Sequence, residues 1–580
     1  METTNMGIKH HAQTASLAEK GGVVDPSARS TSSGGDGSDF AIGDSSAFLT
    51  AGSQHLHRKL RSREVQLFAI GGAIGTSLFV QMGSALPKGG PAGLFLGFLI
   101  WGMVMVGVNE CFAEMVCYAP IPSPFVRLAG YWVDDALQFA MSWNFFFNVA
   151  FLIPFEIVAF NILLTYWTTA VPVEAVIVIV MVIYALLNMI SVRYFGVAEF
   201  YMSIFKVFLI CMLIAFTFVA MLGGNPLGDR FGFRYWNDPG PWVEHLASGS
   251  TGKFLGFLSC VVQATFTICG PEYISMVAGE AEQPRVVLFK AYRSFVWRML
   301  VFFVSSALCM GILVPSNDKT LKAVLSGEQS GSGTGAASPY VIAMNRLEIP
   351  FLPHLVNALI MTSVLSSGNG VLYSTTRTLF GMSLNGTAPK FFSKTLRTGI
   401  PIYAVLAGLS FTALAFLQTS HSSAQVLTWL VDLITMGAML NYFSVALTYL
   451  HFHAACKAQG VDRRTLPYRG RFQPYTAYIA MFGAALMGLL LGYDLFITGG
   501  WDVTYFFLDY TLLGAFPIAF IAWKVIRKTK YHRMGTADLT VGGLVPEIDE
   551  YERHFVPKPM GKIEWWLDRI FNGKGPQYTK

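Results

Sequence analysis

Hydrophobic residues fall in long runs along most of the chain, separated by shorter polar stretches. A helix of about 20 apolar residues crosses the hydrocarbon core of a bilayer, which is about 30 Å thick. The runs therefore predict an all-α polytopic membrane protein with twelve transmembrane helices. The predicted spans are residues 65–86, 93–117, 134–164, 172–192, 201–222, 254–278, 295–314, 352–382, 402–418, 425–451, 475–495 and 503–525.

The two ends of the chain differ in composition from the middle. Residues 1–57 are rich in Ser, Gly, Thr and Asp and contain no long apolar run, which is typical of a disordered cytosolic tail. Residues 58–530 hold all twelve predicted spans. Residues 531–580 form a C-terminal tail, in which the aromatic and aliphatic residues of 562–571 predict an amphipathic helix. This helix would lie either on the membrane or on the protein's own cytosolic face.

Composition narrows the class of protein further. Hydrophobic residues make up 53% of the 580 positions and charged residues only 13%, which is about half the charged fraction of a soluble domain. Lys and Arg collect in the loops after even-numbered spans, and this pattern places both termini in the cytosol. The net charge of +6 is dispersed along the chain, so no nucleic-acid partner is expected. We find no phosphate-binding loop, catalytic triad or metal-ligand spacing, and expect no enzyme activity, cofactor or metal site.

The first predicted span contains a glycine-rich stretch at residues 70–79. Gly71, Gly72 and Gly75 each lower helix propensity by about 1 kcal/mol relative to alanine. Irregular backbone within a bilayer is tolerated only where it lines a cavity or is buried in protein. The stretch therefore predicts a helix break that offers main-chain N–H and C=O groups to a ligand. The alternative is close helix–helix packing on small residues.

Span six contains a second predicted break, at Gly270 and Pro271. Proline removes a backbone donor and disfavours helix at the preceding residue. Spans one and six are the first helices of two five-helix halves, and interrupted helices at corresponding positions point to a transport site near the middle of the membrane. Free N–H groups suit a carboxylate, and free carbonyls suit an ammonium group. Together the two breaks suit the zwitterion of an α-amino acid.

Several motifs resemble those of fungal-type amino acid permeases of the amino acid–polyamine–organocation (APC) superfamily. The resemblance runs from about Leu60 to Lys530. Its motifs are Gly-Gly-Ala-Ile-Gly-Thr-Ser-Leu-Phe at 71–79, Gly-Phe-Arg-Tyr-Trp at 232–236 and Ala-Gly-Glu-Ala-Glu-Gln-Pro-Arg at 278–285. The resemblance implies a LeuT-like 5+5 inverted repeat with two C-terminal helices appended, so that residues 58–530 form a permease domain. It also implies proton-coupled amino acid symport across the plasma membrane by alternating access.

The same resemblance implies a set of substrate-binding positions. The backbone amides near Thr76 and Ser77 would receive the substrate carboxylate. The carbonyls of Ala73, Phe266 and Cys269 would receive its amino group, with the ring of Phe266 as a lid. The full set is Ala73, Gly75, Thr76, Ser77, Phe266, Cys269 and Gly270. Two positions depart from the family, because Ser77 replaces a usual glycine and Pro271 replaces a usual threonine.

Four ionisable residues within the predicted spans are candidates for a functional role, because charged side chains are costly there. Lys206 in span five matches a lysine that occupies a sodium-ion position in proton-coupled relatives, so the resemblance implies proton coupling; alternatively, Lys206 snorkels to the cytosolic interface. Glu272 is predicted to act in gating or proton coupling. Glu156 in span three has either such a role or a structural, hydrogen-bonded one. Asp432 in span ten either favours a cationic substrate or faces a watery vestibule.

Two other functions stay open at this point. An amino acid sensor, or transceptor, would bind the same ligand with little transport, and the tail at 531–580 leaves room for signalling. A vacuolar or export carrier of a specialised metabolite would accommodate the altered motif in span six, and would place the chain in a vacuolar or endosomal membrane. Dependence of uptake on a proton gradient separates the symporter from the sensor, and the cellular location separates the plasma membrane from the vacuole.

Overall fold

The computed structural model describes residues 60, 62–190, 192–326, 338–396, 400–497 and 499–555. Within these ranges the chain is helical, and the one pairing of extended backbone is an isolated bridge between Leu60 and Ala281. The prediction of an all-α fold is confirmed. The predicted tail at 1–57 and the predicted amphipathic helix at 562–571 lie outside the described residues.

Twenty α-helices follow one another along the described chain. They are α1 Ser62–Ala73, α2 Thr76–Phe79, α3 Leu86–Tyr118, α4 Pro124–Trp132, α5 Asp135–Leu164, α6 Val173–Ile190, α7 Val192–Met221, α8 Arg234–Asn237, α9 Gly249–Thr267, α10 Pro271–Met276, α11 Pro284–Arg298, α12 Ser305–Leu313, α13 Lys319–Ser326, α14 Pro339–Arg346, α15 Leu352–Leu384, α16 Ile402–Ser410, α17 Ser423–Ala458, α18 Tyr475–Leu490, α19 Val503–Arg527 and α20 Leu544–His554. A π-helical stretch, Met299–Val304, joins α11 to α12. Short 3₁₀ segments lie at Gln81–Ala85, Ala278–Glu280, Lys390–Ser393, Phe411–Thr419, Arg463–Thr465 and Tyr493–Phe496.

Many of these helices are long and apolar enough to cross a membrane. Within the described ranges nine helical stretches meet this condition by length and composition, and two shorter apolar helices correspond to α6 and α18. The first predicted span corresponds to α1 and α2, which are two separate short helices. The chain is thus a multi-pass membrane protein, whereas the count of twelve spans stays a prediction.

Two helices begin well before the hydropathy pattern indicates. α7 begins at Val192 rather than 201, and α11 begins at Pro284 rather than 295. Charged residues near the helix start, such as Arg285 in α11, lower the local hydropathy and hide the start. α3 also begins before 93, at Leu86, but the non-helical Gly90 (φ 76°, ψ 175°) kinks it close to the predicted start.

Glycines bring α3 and α9 into close contact. A Cβ at Gly89 would lie 2.4 Å from the carbonyl oxygen of Gly256, and a Cβ at Gly97 would lie 3.0 Å from the backbone of Cys260. Larger residues at these glycines would push the helices apart. Close packing of small residues is a main source of helix association in lipid, where the hydrophobic effect between helices is absent. The α3–α9 contact therefore holds the helix that precedes the second predicted break.

On the other side of the molecule, α5 packs along α15 and α17. The side-chain amide of Asn144 donates to the carbonyl of Gly437 at 2.8 Å, and that of Asn148 donates to the carbonyl of Ile434 at 2.6 Å. Amide side chains that bond across helices in this way stabilise a membrane bundle and fix its register. α5 and α17 therefore form one firmly connected unit.

The segment that follows α19 folds back against the ends of other helices. The backbone amide of His532 donates to the carbonyl of Val133 at 2.8 Å. Further along the chain, α20 contacts α11 through an ion pair between Asp549 and Arg285. Residues 531–555 of the predicted C-terminal tail therefore pack on the helix ends that the charge pattern assigns to the cytosol.

Candidate functional site

The first interruption lies between α1 and α2. α1 ends at Ala73, Gly75 is non-helical (φ −153°, ψ −148°) and α2 begins at Thr76. A Cβ at Gly75 would lie 2.8 Å from the Oγ of Ser367 and 3.5 Å from a carboxylate oxygen of Glu156. Glycine suits position 75 because the backbone comes this close to two polar side chains. The interruption places main-chain groups beside a buried carboxylate.

The second interruption lies between α9 and α10. α9 ends at Thr267, α10 begins at Pro271, and Gly270 has φ 141°, a conformation that residues with a side chain rarely adopt. Proline at the start of α10 costs no helical hydrogen bond, because the first amides of a helix have no partner within it. The Gly-Pro pair thus ends one helix and begins the next, and leaves residues 268–270 outside both.

A small cavity lies where the two interruptions meet. Its volume is about 40 Å³, which is room for about three water molecules. Its lining comes from both interruptions and from α5, α15 and α17, and consists of Gly72, Gly75, Ser77, Asn148, Leu152, Phe155, Glu156, Thr265, Phe266, Cys269, Glu272, Tyr273, Ser367, Val371, Ile434, Thr435, Ala438 and Tyr442. In this conformation the cavity is too small for an amino acid.

The cavity brings together residues that are far apart in the sequence. Among the predicted site residues, those that line it are Gly75, Ser77, Glu156, Phe266, Cys269 and Glu272. Three others belong to the backbone at the interruptions without lining the cavity: Ala73, Thr76 and Gly270. The remaining two predicted site residues, Lys206 and Asp432, are not among the residues that line this cavity.

Glu156 joins three helices at the cavity. Its side chain on α5 is buried. One of its oxygens accepts a hydrogen bond from the hydroxyl of Thr76 at the start of α2, and the other accepts one from the hydroxyl of Ser367 on α15 at 2.8 Å. Glu156 therefore has structural hydrogen bonds and also faces the cavity. These bonds couple the position of the first interruption to α5 and α15.

Lys206 on α7 is buried, with 2% of its surface exposed. Its Nζ donates to the carbonyl oxygen of Gly71 at 2.9 Å, and its charge interacts with the nearby carboxylate of Glu156. The ammonium group therefore points into the protein and does not snorkel to the interface. It contacts α1 in the last turn before the interruption.

Glu272 lies in the first turn of α10, next to the second interruption. Its Oε1 accepts a hydrogen bond from the hydroxyl of Tyr442 on α17 at 3.2 Å. Its Oε2 is buried and makes no hydrogen bond of good geometry among the described residues, although the backbone amides of Gly270 and Glu272 lie close enough to interact with the carboxylate. A buried carboxylate oxygen without a partner is costly. Because Glu272 lines the cavity, this oxygen is available to a donor that enters it.

Asp432 lies apart from the cavity. Ile434 and Thr435, on the same helix α17, belong to the cavity lining. The carboxyl group of Asp432 instead interacts electrostatically with Asp509 on α19 and with Lys88 at the start of α3. Asp432 would therefore not contact a ligand in this cavity directly. The role of Asp432 in specificity stays a prediction.

The structure adds lining residues that the sequence analysis did not single out. They come from α5, α15 and α17 and include Asn148, Phe155, Ser367 and Tyr442. Asn148 lies one helical turn from Asn144 in a long apolar helix. This pair of amides could have predicted a helix–helix contact on that face, since polar groups inside a membrane helix need partners. Phe155 carried no such signal, because one phenylalanine among many apolar residues does not reveal which way it faces.

An all-helical multi-pass protein in which two interrupted helices meet at a cavity with both polar and apolar lining residues has the architecture of a membrane carrier. The chain belongs to the amino acid permease family, whose family model, described as "Amino acid permease", matches residues 64–534. The predicted resemblance is confirmed, and membership in this family supports amino acid transport as the general function.

Relatives in this family match over nearly the whole length. The chain is 40% identical over 515 residues to the general amino acid permease AGP2 of Saccharomyces cerevisiae, which covers 88% of this chain and 85% of that protein. It is 36% identical over 517 residues to a proline-specific permease of Emericella nidulans, with 88% and 93% covered. It is 33% identical over 564 residues to the dicarboxylic amino acid permease of Saccharomyces cerevisiae, with 95% and 91% covered. These relatives are named for different substrates.

Among solved structures, a mutant of the Eremococcus coleocola manganese transporter superposes with a TM-score of 0.48 at 13% identity. The match covers 80% of this chain and 94% of that one.

Proposed function

We propose that this permease takes up an amino acid in symport with protons by alternating access, with the substrate bound between the two interrupted helices. The observation that carries the proposal is the cavity where both interruptions meet. Gly75 and Ser77 line it from the first interruption, and Phe266 and Cys269 line it from the second. Main-chain groups outside helices can bind the two charged ends of an amino acid.

The polarity of the site supports one orientation of the substrate. The amides near Thr76 and Ser77 would bind the carboxylate, because amides at the start of a helix lack a partner within it. The carbonyls of Ala73, Phe266 and Cys269 would bind the ammonium group. The unpartnered oxygen of Glu272 would provide a further acceptor on the side of the second interruption.

Substrate entry requires the aromatic side chains around the cavity to move. The ring of Phe266 packs edge-on against Phe155, with 5.2 Å between the ring centroids, and the cavity holds only about 40 Å³. An amino acid therefore fits only after one of these rings or one of the interrupted helices is displaced. Such displacement is the opening step that alternating access needs.

Proton coupling is proposed to act through Lys206. In its protonated form Lys206 donates to the carbonyl oxygen of Gly71 and so holds the end of α1. Burial favours the neutral amine, and a nearby carboxylate such as Glu156 favours the ammonium. A movement that separates Lys206 from Glu156 would therefore release a proton, and the neutral amine would hold α1 less firmly.

Uptake into proteoliposomes tests the coupling. We expect uptake of labelled amino acids to increase at outside pH of about 5 relative to 7 and to fall when a protonophore is added. Lys206→Met, which keeps the length of the side chain, should lower this ratio to about one. Lys253→Met is the matched control, because Lys253 is exposed near the start of α9 and should leave the ratio unchanged. Uptake that never responds to the proton gradient would refute symport.

Cysteine protection tests the site independently of transport. Cys269 lines the cavity, whereas Cys260 is fully buried between α3 and α9. In a variant with Cys269 as the sole cysteine, a small thiol reagent should react slowly, and the carried amino acid should slow it further. A sole Cys260 should not respond to the amino acid. Protection without any uptake would instead indicate the amino acid sensor.

The plasma membrane is the proposed location, with both termini in the cytosol. The location rests on the resemblance to fungal-type amino acid permeases, whereas the distribution of Lys and Arg between the loops supports the orientation. Imaging of a chain with a C-terminal fluorescent tag tests the location, and protease access to that tag in sealed vesicles tests the orientation. A tag on the vacuolar membrane would favour the vacuolar carrier.

A further inference from the structure

A second and larger cavity lies on the side of the molecule that the charge pattern assigns to the cytosol. Its volume is about 660 Å³ and it is open to the surface, with most of its lining from α11 and further contributions from Gln66 and Pro467. Ligand pockets in proteins commonly have volumes of about 300–1,000 Å³. The cavity is therefore large enough for a small organic headgroup rather than a single ion.

The charge of this cavity is positive. Arg285, Lys290 and Arg293 line it, and the lining within the described chain contains no Asp or Glu. Arg285 is already paired with Asp549 and with Glu552 on α20. Lys290 and Arg293 have no ion pair with any described residue. Two cationic side chains in one recess are therefore left to bind an anion.

The position of these two side chains on α11 relates the cavity to the bilayer. Lys290, Arg293 and Trp297 have the spacing of one helix face. The side chain of Trp297 is 68% exposed, and the next residues on this face, Leu300 and Val301, are also exposed. Tryptophan and basic residues at the end of an apolar helix face mark the headgroup level of a membrane. The cavity therefore opens beside a surface that acyl chains cover.

We propose that this cavity binds the phosphorylated headgroup of an anionic lipid, with the phosphate on Lys290 and Arg293 and the acyl chains along Trp297 and the face that follows it. A guanidinium binds phosphate oxygens in a bidentate way and an ammonium binds them as a point charge. The ring of Phe289 lies 6.0 Å from the guanidinium of Arg293 and restricts its position. Placement of the lipid in the inner leaflet rests on the proposed orientation of the chain.

Lipid binding by the purified full-length protein in a neutral detergent tests this proposal, and it needs neither transport nor a known orientation. The probe is fluorescent dioctanoyl phosphatidylinositol 4,5-bisphosphate, and anisotropy gives its Kd. Changing both Lys290 and Arg293 to alanine should weaken binding about 30-fold, on the basis of about 5-fold for each basic residue at a membrane surface. Lys457→Ala with Arg464→Ala, two exposed basic residues elsewhere on the same side, should change Kd less than 2-fold.

A gain of binding provides a second test that does not depend on weakening the site. Asp549→Asn with Glu552→Gln removes the acidic partners of Arg285, so this side chain becomes available and the Kd should fall about 5-fold. Equal losses in the pocket variant and the control variant would overturn the proposal, because they indicate diffuse surface charge. An unchanged Kd in both the pocket variant and the Asp549/Glu552 variant would overturn it as well.

Two competitors identify the source of the phosphate. Dioctanoyl phosphatidylcholine has the same chains without net charge and should not displace the probe. Inositol 1,4,5-trisphosphate has the phosphates without chains and should compete at least 10-fold less well than the unlabelled lipid. Equal competition by the soluble trisphosphate would overturn the lipid as the ligand and indicate a soluble phosphate compound.

Discussion

Gly75→Ala tests how closely the backbone at position 75 packs against the side chains of Ser367 and Glu156. The added methyl carbon would lie 2.8 Å from the Oγ of Ser367 and 3.3 Å from its Cβ, so the hydroxyl has to turn away. The φ at position 75 is negative (−153°), so Gly75 is not in the left-handed region that favours glycine. Steric contact with Ser367, and not backbone strain, is therefore the expected cause of any effect. The variant should lose the hydrogen bond from Ser367 to Glu156.

The size of the effect follows from this one bond. The Ser367 hydroxyl donates to the Glu156 carboxyl group at 2.8 Å in a buried site. A hydrogen bond to a charged group contributes about 1.5–3 kcal/mol, which corresponds to about 10- to 150-fold in an equilibrium constant. We expect Gly75→Ala to lower the ratio of Vmax to KM for uptake within this range.

A double-mutant cycle makes the reasoning specific. Uptake of a labelled amino acid into proteoliposomes is measured for wild type, Gly75→Ala, Ser367→Ala and the double variant. Both single changes remove the same bond, so the double variant should be about as impaired as Ser367→Ala alone. Without the hydroxyl, the closest contact of the new methyl group is the Cβ of residue 367 at 3.3 Å, which a shift of a few tenths of an ångström relieves, and the Glu156 oxygen at 3.5 Å is at ordinary van der Waals distance.

If the losses of the two single variants multiply in the double variant, the reasoning is refuted, because two independent effects cannot come from one shared hydrogen bond. Gly381→Ala is the matched control. Gly381 lies on α15, the same helix as Ser367, and a Cβ there meets nothing within 4 Å. This control should take up the amino acid like wild type, and its failure would show that α15 tolerates no added methyl group.

Three further predictions concern other groups. Tyr442→Phe removes the donor to Oε1 of Glu272 and should reduce Vmax/KM for uptake about 10-fold. Uptake equal to that of wild type would show that this hydrogen bond does not contribute to transport. Arg463→Met leaves the buried carboxylate of Glu114 without the guanidinium that holds both its oxygens, so the variant should lose about 3 kcal/mol of stability, visible as a lower Tm. Burial lowers the pKa of His245, in the loop between α8 and α9, because it disfavours the charged imidazolium. The stability that His245 contributes should therefore be fully present above pH of about 6.5 and be lost as the pH falls below it. His245→Gln should accordingly show a smaller fall in Tm between pH 7 and 5 than wild type.

The parts of the site that depend on backbone chemistry were accessible from the sequence. Gly75 needs a small residue because two polar side chains approach it, and Gly270 with Pro271 ends α9 and begins α10. Glycine and proline act on the chain where they stand, so their effect can be predicted without knowing the neighbours. Lys206 could likewise be singled out, because a lysine inside an apolar run requires a partner.

The parts of the site that depend on which way a helix faces were not accessible. Asp432 is two positions from Ile434 and three from Thr435 on α17, and yet those two line the cavity while Asp432 interacts electrostatically with Asp509 and Lys88. Successive residues on a helix point about 100° apart, so a shift of two positions changes the environment entirely. Tyr442 was missed for the same reason, since its ring reaches Glu272 only because α17 packs beside the second interruption.

The amino-acid sequence alone determined that this protein is an all-helical, multi-pass membrane protein of the amino acid permease family, because long apolar runs and family motifs are properties of the chain itself. The tertiary structure alone decided that Thr76 and Ser367 both bond to Glu156, and that Lys206 bonds to Gly71 in the same region. It also decided that α11 presents a basic cavity beside an apolar face. Both features depend on distances between helices that are far apart in the chain, and these distances are set by side-chain packing across the bundle.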